Sequence, residues 1–231
     1  ALEFSTFNLP PFSNLTDSKN SGIMTELGQL ACKKAALECS FRELPWRRIV
    51  KEVTSGKRNV GYPASYNEKR QKIAHYSDVI VRTEYGFLAL KNYSKIVKSH
   101  DDLKGLKVVA HAGSNTLYQL KKMHKRLKNF EIIIEKRIET IARKLANKRY
   151  SKDTIVYGSP QVYRSRFMKL GVGSVYYAFR DKRIDYYFAF SNKSVDIKTV
   201  DVFNKAVREL KSIGEFERVF KKYNYSENSE L

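Results

Sequence analysis

Residues 102–120 read DLKGLKVVAHAGSNTLYQL, and the pattern of apolar residues in this segment indicates the fold class. The apolar run at residues 107–111 is typical of a buried strand, and apolar residues at helical spacing continue from residue 116 to residue 127. Between them stand Gly113, Ser114 and Asn115, a short turn that leads directly into the helix. A strand followed at once by a helix predicts one unit of a mainly parallel α/β sheet.

The same alternation continues in both directions from this unit. On its C-terminal side we predict strands at residues 131–134, 154–157, 175–179 and 186–190, and helices at residues 137–146, 160–170, 202–213 and 215–223. On its N-terminal side we predict strands at residues 2–7, 39–44, 59–62 and 82–90, and helices at residues 23–37, 46–55 and 67–74. A polar break at residues 92–102 separates the two halves of this α/β chain.

The composition restricts the class of protein. The chain has 231 residues, enough for one large domain or two lobes, and 13% of them are aromatic, which excludes a mainly disordered chain. No apolar run approaches the roughly 18–20 residues that span a bilayer. The net charge of +20 favours an anionic partner, whether nucleic acid, lipid head groups or acidic small molecules.

No motif argues for catalysis. The four histidines (His75, His100, His111 and His124) are scattered without metal-ligand spacing, a GxSxG elbow is absent, and residues 55–58, SGKR, lack the first glycine of a P-loop. We therefore predict a protein that is not an enzyme and that binds no metal and no cofactor. The basic residues lie on amphipathic helices without a nucleic-acid-binding motif, so we predict no specific nucleic acid partner.

Cys32 and Cys39 are too few for a zinc site and do not form a CxxC pair. If a helix turns into a strand just before Cys39, the two sulfurs can meet across that turn; two separate buried thiols are the alternative. The sequence starts at Ala1 without the charged and apolar regions of a secretion signal. A signal peptide already removed leaves such a start, and so does a trimmed chain.

Two segments combine anion-binding chemistry with the start of a helix. The first contains Ser65 and Arg70 around the predicted cap Asn67, and the second is the turn at Ser114 and Asn115. Free backbone N–H groups and the helix dipole attract an anion, and an arginine grips a carboxylate with two parallel hydrogen bonds. One such element in each half of the chain suggests a cleft that closes on a small anionic group.

The order of these features resembles the bacterial extracellular solute-binding proteins of family 3, the periplasmic receptors of polar amino-acid ABC transporters. Residues 67–78, NEKRQKIAHYSD, are similar to that family's "eR...i.fS" motif, and DLKG followed by KVVAHAGSN resembles "dLkGk.vgv..Gt". Residues 202–223, VFNKAVRELKSIGEFERVFKKY, resemble the closing helices. The spacing of Cys32 and Cys39 matches a disulfide of histidine- and lysine/arginine/ornithine-binding members. The similarity runs from about residue 2 to residue 223.

This resemblance implies a type II periplasmic-binding-protein clamshell. Lobe one would hold residues 1–90 and 191–231, including a polar tail at 224–231, and lobe two would hold residues 91–190. Each lobe would be a mainly parallel sheet flanked by helices, with a two-strand hinge near residues 87–90 and 186–190. Ligand-binding positions carried over from the family, or placed at the corresponding loops, are Asn8, Trp46, Ser65, Arg70, Ser114, Asn115 and Gly158. For Trp46 a core tryptophan at a helix start is the alternative.

Two positions depart from the family pattern. Gly158 stands where amino-acid binders place an aspartate that pairs with the ligand's ammonium group, and the first-strand loop offers only Asn8 in place of an acid. Without a carboxylate, a buried ammonium group would stay unpaired, which costs several kcal/mol. The sequence therefore favours a carboxylate-bearing, anionic or aromatic ligand over an ordinary α-amino acid. The Pro45-Trp46 pair resembles a subgroup of these receptors.

The resulting prediction is a monomeric periplasmic solute-binding protein that captures a small ligand by hinge closure, for ABC import through a membrane permease or for sensing by a membrane sensor. The alternatives are an enzyme of dehydratase or lytic type on the same fold, and a basic protein that binds anionic surfaces.

Overall fold

The computed structural model describes residues 1–15, 21–66, 68–90, 97–171 and 175–227, except the side chains of Lys69, Arg70, Leu90 and Val175. The predicted cap Asn67 and the end of the tail, residues 228–231, lie outside the described residues. The chain divides into two compact units, unit 1 with Ala1–Arg82 and Asp185–Glu230 and unit 2 with Thr83–Ile184. The resemblance to the family instead predicts lobe boundaries at residues 90 and 191.

The described residues of unit 1 form four strands, the end of a fifth, and five helices. Its elements are β1 (Leu2–Thr6), α1 (Ile23–Lys34), β2 (Cys39–Glu43), α2 (Trp46–Ser55), β3 (Val60–Ser65), α3 (Glu68–Gln71), β4 (Ala74–Tyr76), the C-terminal part of β9 (Val175–Ser191), α7 (Ile197–Ser212) and α8 (Glu215–Lys222). β1 pairs with β2 and β3 in parallel, and β9 pairs antiparallel with β3 and with β4. The strand order is therefore β2-β1-β3-β9.

An aromatic core holds unit 1 together. The fully buried ring of Phe4 stacks on Phe41 at 4.8 Å and meets Phe188 edge-on at 5.4 Å. Phe203, on α7, packs against Phe188 at 5.4 Å and joins the helix layer to the sheet. Side chains of this size dominate the burial of apolar surface that stabilises a small unit.

The predicted disulfide is confirmed, since Cys32 and Cys39 are bonded with Cα atoms 6.3 Å apart. It ties the end of α1 to the start of β2 across a short turn. Both ends of α2 also agree with the prediction, because Pro45 precedes its first residue and Gly56 ends it in the left-handed region, with φ at 81°.

Unit 2 contains β5 (Val81–Leu90), β6 (Lys107–His111), α4 (Asn115–Leu127), β7 (Glu131–Glu135), α5 (Ile138–Ala146), β8 (Thr154–Gly158), α6 (Pro160–Lys169) and the N-terminal part of β9. A 3₁₀ turn at Asp101–Leu103 precedes β6. The strand order is β9-β5-β8-β6-β7, in which β6 lies parallel to β7 and to β8 while β5 and β8 are antiparallel. The mixed α/β fold predicted from the alternation of elements is confirmed.

Two element predictions are wrong. The helix predicted to end at residue 74 stops at Gln71, and Ala74 begins β4 because this segment pairs with β9, with His75 opposite Phe190. The strands predicted at residues 175–179 and 186–190 form one strand, β9. The charged side chains in the middle of β9 have partners. Arg180 forms an ion pair with Glu84, and Lys182 donates a hydrogen bond to Gln119, so the strand continues through this charged segment.

None of the helices in the described ranges combines the length and the apolarity that a membrane crossing requires.

Candidate functional site

Two loops of unit 2 meet at one edge of its sheet. Val109 of β6 lies opposite Val156 of β8 in parallel register, so the loops that follow these strands leave the same edge. The first loop carries Ser114 and Asn115 and the second begins at Gly158. Ligands of open α/β sheets bind at the carboxyl ends of strands, which makes this edge the candidate site of unit 2.

Ser114 is the N-cap of α4. Its Oγ accepts the Leu117 N–H at 3.1 Å and donates to the His111 carbonyl oxygen at 2.5 Å, and it lies 2.6 Å from Thr116 Oγ1. The hydroxyl predicted to bind a ligand thus fixes the start of the helix. The other N–H groups of the first turn have no partner within the helix, which leaves them for an anion.

Asn115 is the first residue of α4 and has an unusual environment. Its side chain is only 6% exposed, yet neither Oδ1 nor Nδ2 has a hydrogen-bond partner among the described residues. An amide carries both a donor and an acceptor, so its needs are the same whichever way the group is turned. A buried polar group without a partner costs about 1–3 kcal/mol, and at Asn115 the donor and the acceptor of the amide both lack one within the described part of the chain.

Gly158 ends β8 beneath an aromatic ring. A Cβ atom at this position would lie 2.4 Å from Cε2 and 3.1 Å from Cδ2 of Tyr163, a residue of α6 that is 2% exposed. Burial raises the pKa of the Tyr163 phenol, so the ring stays neutral. The ring of Tyr163 therefore occupies the space that a side chain at position 158 would need.

A hydroxyl cluster beside Gly158 was not predicted from the sequence. Gln161 Oε1 accepts hydrogen bonds from Thr83 Oγ1 at 3.0 Å and from Ser159 Oγ at 2.9 Å. The buried Thr83 and Ser159 come together because β5 and β8 pair antiparallel, with Gly86 opposite Gly158. The only sequence signal was the pair Ser159-Pro160 at a helix start, which is common. The cluster is neutral and carries no acid.

The predicted residues of unit 1 also share one sheet edge. Asn8 follows β1, Trp46 follows β2, and Ser65 is the last residue of β3. These three strands are parallel neighbours, with Thr6 opposite Glu43 and Ser5 opposite Gly61, so their carboxyl ends lie together. Ser65 is 4% exposed, whereas Asn8 and Trp46 are partly exposed.

Aromatic rings surround this edge of unit 1. Trp46 packs against Phe7 with ring centroids 5.2 Å apart and lines an apolar cavity of about 30 Å³ beneath α2. Tyr66, 48% exposed, lies 5.7 Å from the ring of Tyr76. Its hydroxyl donates to Gln71 Oε1 at 2.5 Å, which holds the ring over the short helix α3. Trp46 is thus partly exposed and also packs against the core of unit 1. The cavity that it lines is too small for a ligand.

The backbone of Arg70 lies in α3, but its side chain is outside the described part of the structure. Its predicted role as a carboxylate clamp stays a prediction. Within the described ranges, no three His, Cys, Asp or Glu side chains come together as metal ligands.

Comparisons with known proteins agree with this architecture. A "Probable histidine-binding protein" of Campylobacter jejuni subsp. jejuni serotype O:2 is 27% identical over 219 residues, which cover 94% of this chain and 81% of the relative. An ancestral arginine-binding protein bound to arginine superposes with a TM-score of 0.82 at 22% identity, covering 96% of this chain and 97% of that one. A histidine kinase sensor domain with similarity to periplasmic binding proteins gives a TM-score of 0.84 at 16% identity, with 96% and 95% covered.

The similarity to solved structures shows the fold, and the match of the sequence to a family description shows the family. Residues 5–226 match the bacterial extracellular solute-binding proteins, family 3. The match covers nearly the whole chain and includes both sheet edges described above. The chain belongs to the bacterial extracellular solute-binding proteins of family 3.

Proposed function

We propose that this solute-binding protein captures a small carboxylate ligand that has no free ammonium group. The buried amide of Asn115 carries the proposal. A ligand carboxylate would accept from Nδ2 and from the N–H groups at the start of α4, and a neutral ligand donor, a hydroxyl or an amide N–H, would satisfy Oδ1. Such a ligand removes the cost of two buried polar atoms, and this gain appears only when the ligand is bound.

The chemistry around Gly158 supports the absence of an ammonium group. The hydroxyl cluster beside Gly158 consists of the neutral side chains of Thr83, Ser159 and Gln161, and Tyr163 covers the glycine. None of these groups offers the negative charge that a desolvated ammonium needs. The names of the relatives, a histidine-binding and an arginine-binding protein, favour ligands of amino-acid size. An N-acylated amino acid or a hydroxy acid meets both conditions.

Unit 1 would supply the surface for the rest of the ligand. Trp46 and Tyr66 are partly exposed aromatic side chains, and Trp46 adjoins the sheet edge of Asn8 and Ser65. We propose that Ser65 and Arg70 join Asn115 on the carboxylate and that the two lobes close on the ligand, as hinge closure in the family implies. An aromatic or apolar ligand body fits these residues best.

We also propose binding without chemical conversion, in the periplasm, by a monomer that delivers its ligand to an ABC permease or reports it to a membrane sensor. The family description as extracellular and the disulfide support an oxidising compartment. The hydroxyl cluster beside Gly158 contains no catalytic acid for the alternative, an enzyme of dehydratase or lytic type. Incubation of protein and ligand followed by mass spectrometry should return the ligand unchanged, and a product would favour the enzyme.

Substitution of Asn115 tests the proposal. Asn115→Ala should weaken binding of N-acetyl-L-phenylalanine at least about tenfold, since charge-assisted hydrogen bonds are lost. The ligand-free variant should be at least as stable as the parent, because two buried polar atoms without partners are gone. Asn147→Ala is the matched control, an exposed asparagine at the end of α5 whose Nδ2 donates to Arg143 O, and it should bind like the parent. Unchanged affinity of Asn115→Ala would refute the role of Asn115.

A further inference from the structure

The charge of the chain is concentrated in unit 2. Residues 83–184 contain 23 Lys and Arg and eight Asp and Glu, a difference of +15 out of the +20 of the whole chain. A carboxylate site at the start of α4 needs few of these charges. An excess of this size on one unit raises the local concentration of anions and suggests a second anionic partner.

A groove on unit 2 gathers part of this charge. It encloses about 450 Å³ and is lined by His100, Gln119, Lys122, Met123, Arg126, Asp181 and Lys182. The four α4 residues among them stand at positions i, i+3, i+4 and i+7, so they form a single face of that helix. Asp181 and Lys182, of β9, form another wall. The volume lies within the range of small-molecule sites.

The acidic side chain of the groove, Asp181, interacts with Tyr157 and His100. Asp181 accepts from the Tyr157 hydroxyl at 2.5 Å and lies 2.8 Å from His100 Nε2. The His100 ring is held edge-on against Phe179 at 5.3 Å, which fixes this pair on the groove wall. Asp181 therefore does not turn toward the cations of α4.

Three cationic side chains, Lys122, Arg126 and Lys182, line the groove. Lys122 and Arg126 are exposed and stand four residues apart on α4, an arrangement in which like charges repel. Lys182 Nζ donates to the neutral Gln119 Oε1 at 2.9 Å. Within the described ranges, no carboxylate forms an ion pair with any of these three cations. Three cations and one carboxylate leave the groove a formal charge of +2 when His100 is neutral.

We propose that this groove binds a phosphate monoester. A phosphate monoester carries about −1.5 to −2 at pH 7 and balances the +2 of the groove, whereas a single carboxylate would balance half of it. The Arg126 guanidinium can hold two phosphate oxygens in parallel, and the lysines add point charges. A phosphate fills part of 450 Å³, so the groove also has room for the organic group that bears it. That group is a soluble metabolite or the glycerol of a lipid.

Calorimetry with glycerol 3-phosphate and co-sedimentation with phosphatidic acid vesicles test the groove, both at 150 mM salt. The variant is Lys122→Gln with Arg126→Gln. The matched control is Lys121→Gln with Lys125→Gln, two exposed lysines of the same helix that do not line the groove. Glutamine keeps the helix propensity of the residues it replaces, and both variants lose two charges. Thermal melts check that each variant folds. If the groove variant Lys122→Gln with Arg126→Gln does not fold, Lys182→Gln, which leaves α4 unchanged, replaces it.

The groove variant should lose at least about tenfold in affinity for a phosphate probe, and the control less than about twofold. Binding of both probes assigns a soluble phosphate ester, and binding of vesicles alone assigns a lipid head group. Equal losses in the two variants would show diffuse attraction by the charge of unit 2 and would overturn the proposal. Failure of the parent to bind either probe would also overturn it. Neither outcome depends on the ligand proposed for Asn115.

Discussion

The ring of Tyr163 over Gly158 yields a prediction that depends on a single contact. Gly158→Ala would place a Cβ atom 2.4 Å from Tyr163 Cε2, whereas ordinary contacts lie at 3.4–4 Å. The ring would therefore have to move by about 1 Å in a closely packed interior, and overpacking of this kind costs about 1–3 kcal/mol. We expect Gly158→Ala to lower the free energy of unfolding by that amount.

A double-mutant cycle assigns this loss to Tyr163. Tyr163→Leu removes a ring that is 2% exposed and should cost about 2–4 kcal/mol by itself. In that background Gly158→Ala should cost almost nothing, because the atoms that its Cβ would meet are gone. Urea denaturation of the four proteins, followed by circular dichroism, measures the coupling between the two positions.

Additive losses would refute the argument, because they would show that the strain at position 158 does not come from the Tyr163 ring. A related double variant at the same two positions tests ligand binding. Gly158→Asp with Tyr163→Leu would supply a carboxylate together with the space for it, and this variant should gain affinity for free α-amino acids relative to the parent.

Two further predictions concern unit 1. Arg70→Ala and Arg70→Lys should both weaken binding of a carboxylate ligand by about 2–5 kcal/mol, because lysine cannot form the paired hydrogen bonds of arginine. The melting temperature of the ligand-free protein should change little. Calorimetry that finds the parent's affinity in Arg70→Ala would contradict the role of Arg70 in holding the carboxylate. Hydrogen bonds from Arg48 and Arg58 lower the pKa of Glu52 to about 2, so its stabilising contribution is complete above its unfolded pKa near 4.5 and is lost as the pH falls toward 2. The difference in stability between the parent and Glu52→Gln, measured by urea denaturation, should therefore shrink between pH 5 and pH 3, and a constant difference would contradict this assignment.

The spacing of apolar residues was sufficient to predict the helices and strands that bury one regular face. The β6–α4 unit could be predicted because an apolar strand, a Gly-Ser turn and a helical repeat follow one another without interruption. The disulfide followed from the resemblance to the family. β4 could not be predicted, since three residues after a short helix become a strand only through pairing with β9. The continuous β9 was missed because a run of charges suggests a loop, and only the fold shows that Arg180 and Asp181 have partners.

The candidate site divides in the same way. The sequence pointed to Asn115 as a binding residue, but its burial without a hydrogen-bond partner depends on packing around the start of α4. The resemblance to the family predicts that Gly158 stands where other members carry an acid. It gave no sign that Tyr163, five residues later, would fold back over that glycine. Contacts between side chains of consecutive elements depend on the angle of the turn between them, which residue spacing does not determine.

Titration with pairs of ligands that differ at the α-nitrogen tests whether the protein prefers carboxylates without an ammonium group. Isothermal calorimetry at pH 7 would compare L-phenylalanine and L-histidine with their N-acetyl derivatives, which keep the carboxylate and replace the ammonium with a neutral N–H donor. We expect at least one N-acetyl derivative to bind more tightly than its free amino acid, by about tenfold or more, since the hydroxyl cluster of Thr83, Ser159 and Gln161 offers no carboxylate to a buried ammonium group. Tighter binding of the free amino acid in both pairs would contradict the proposed ligand class.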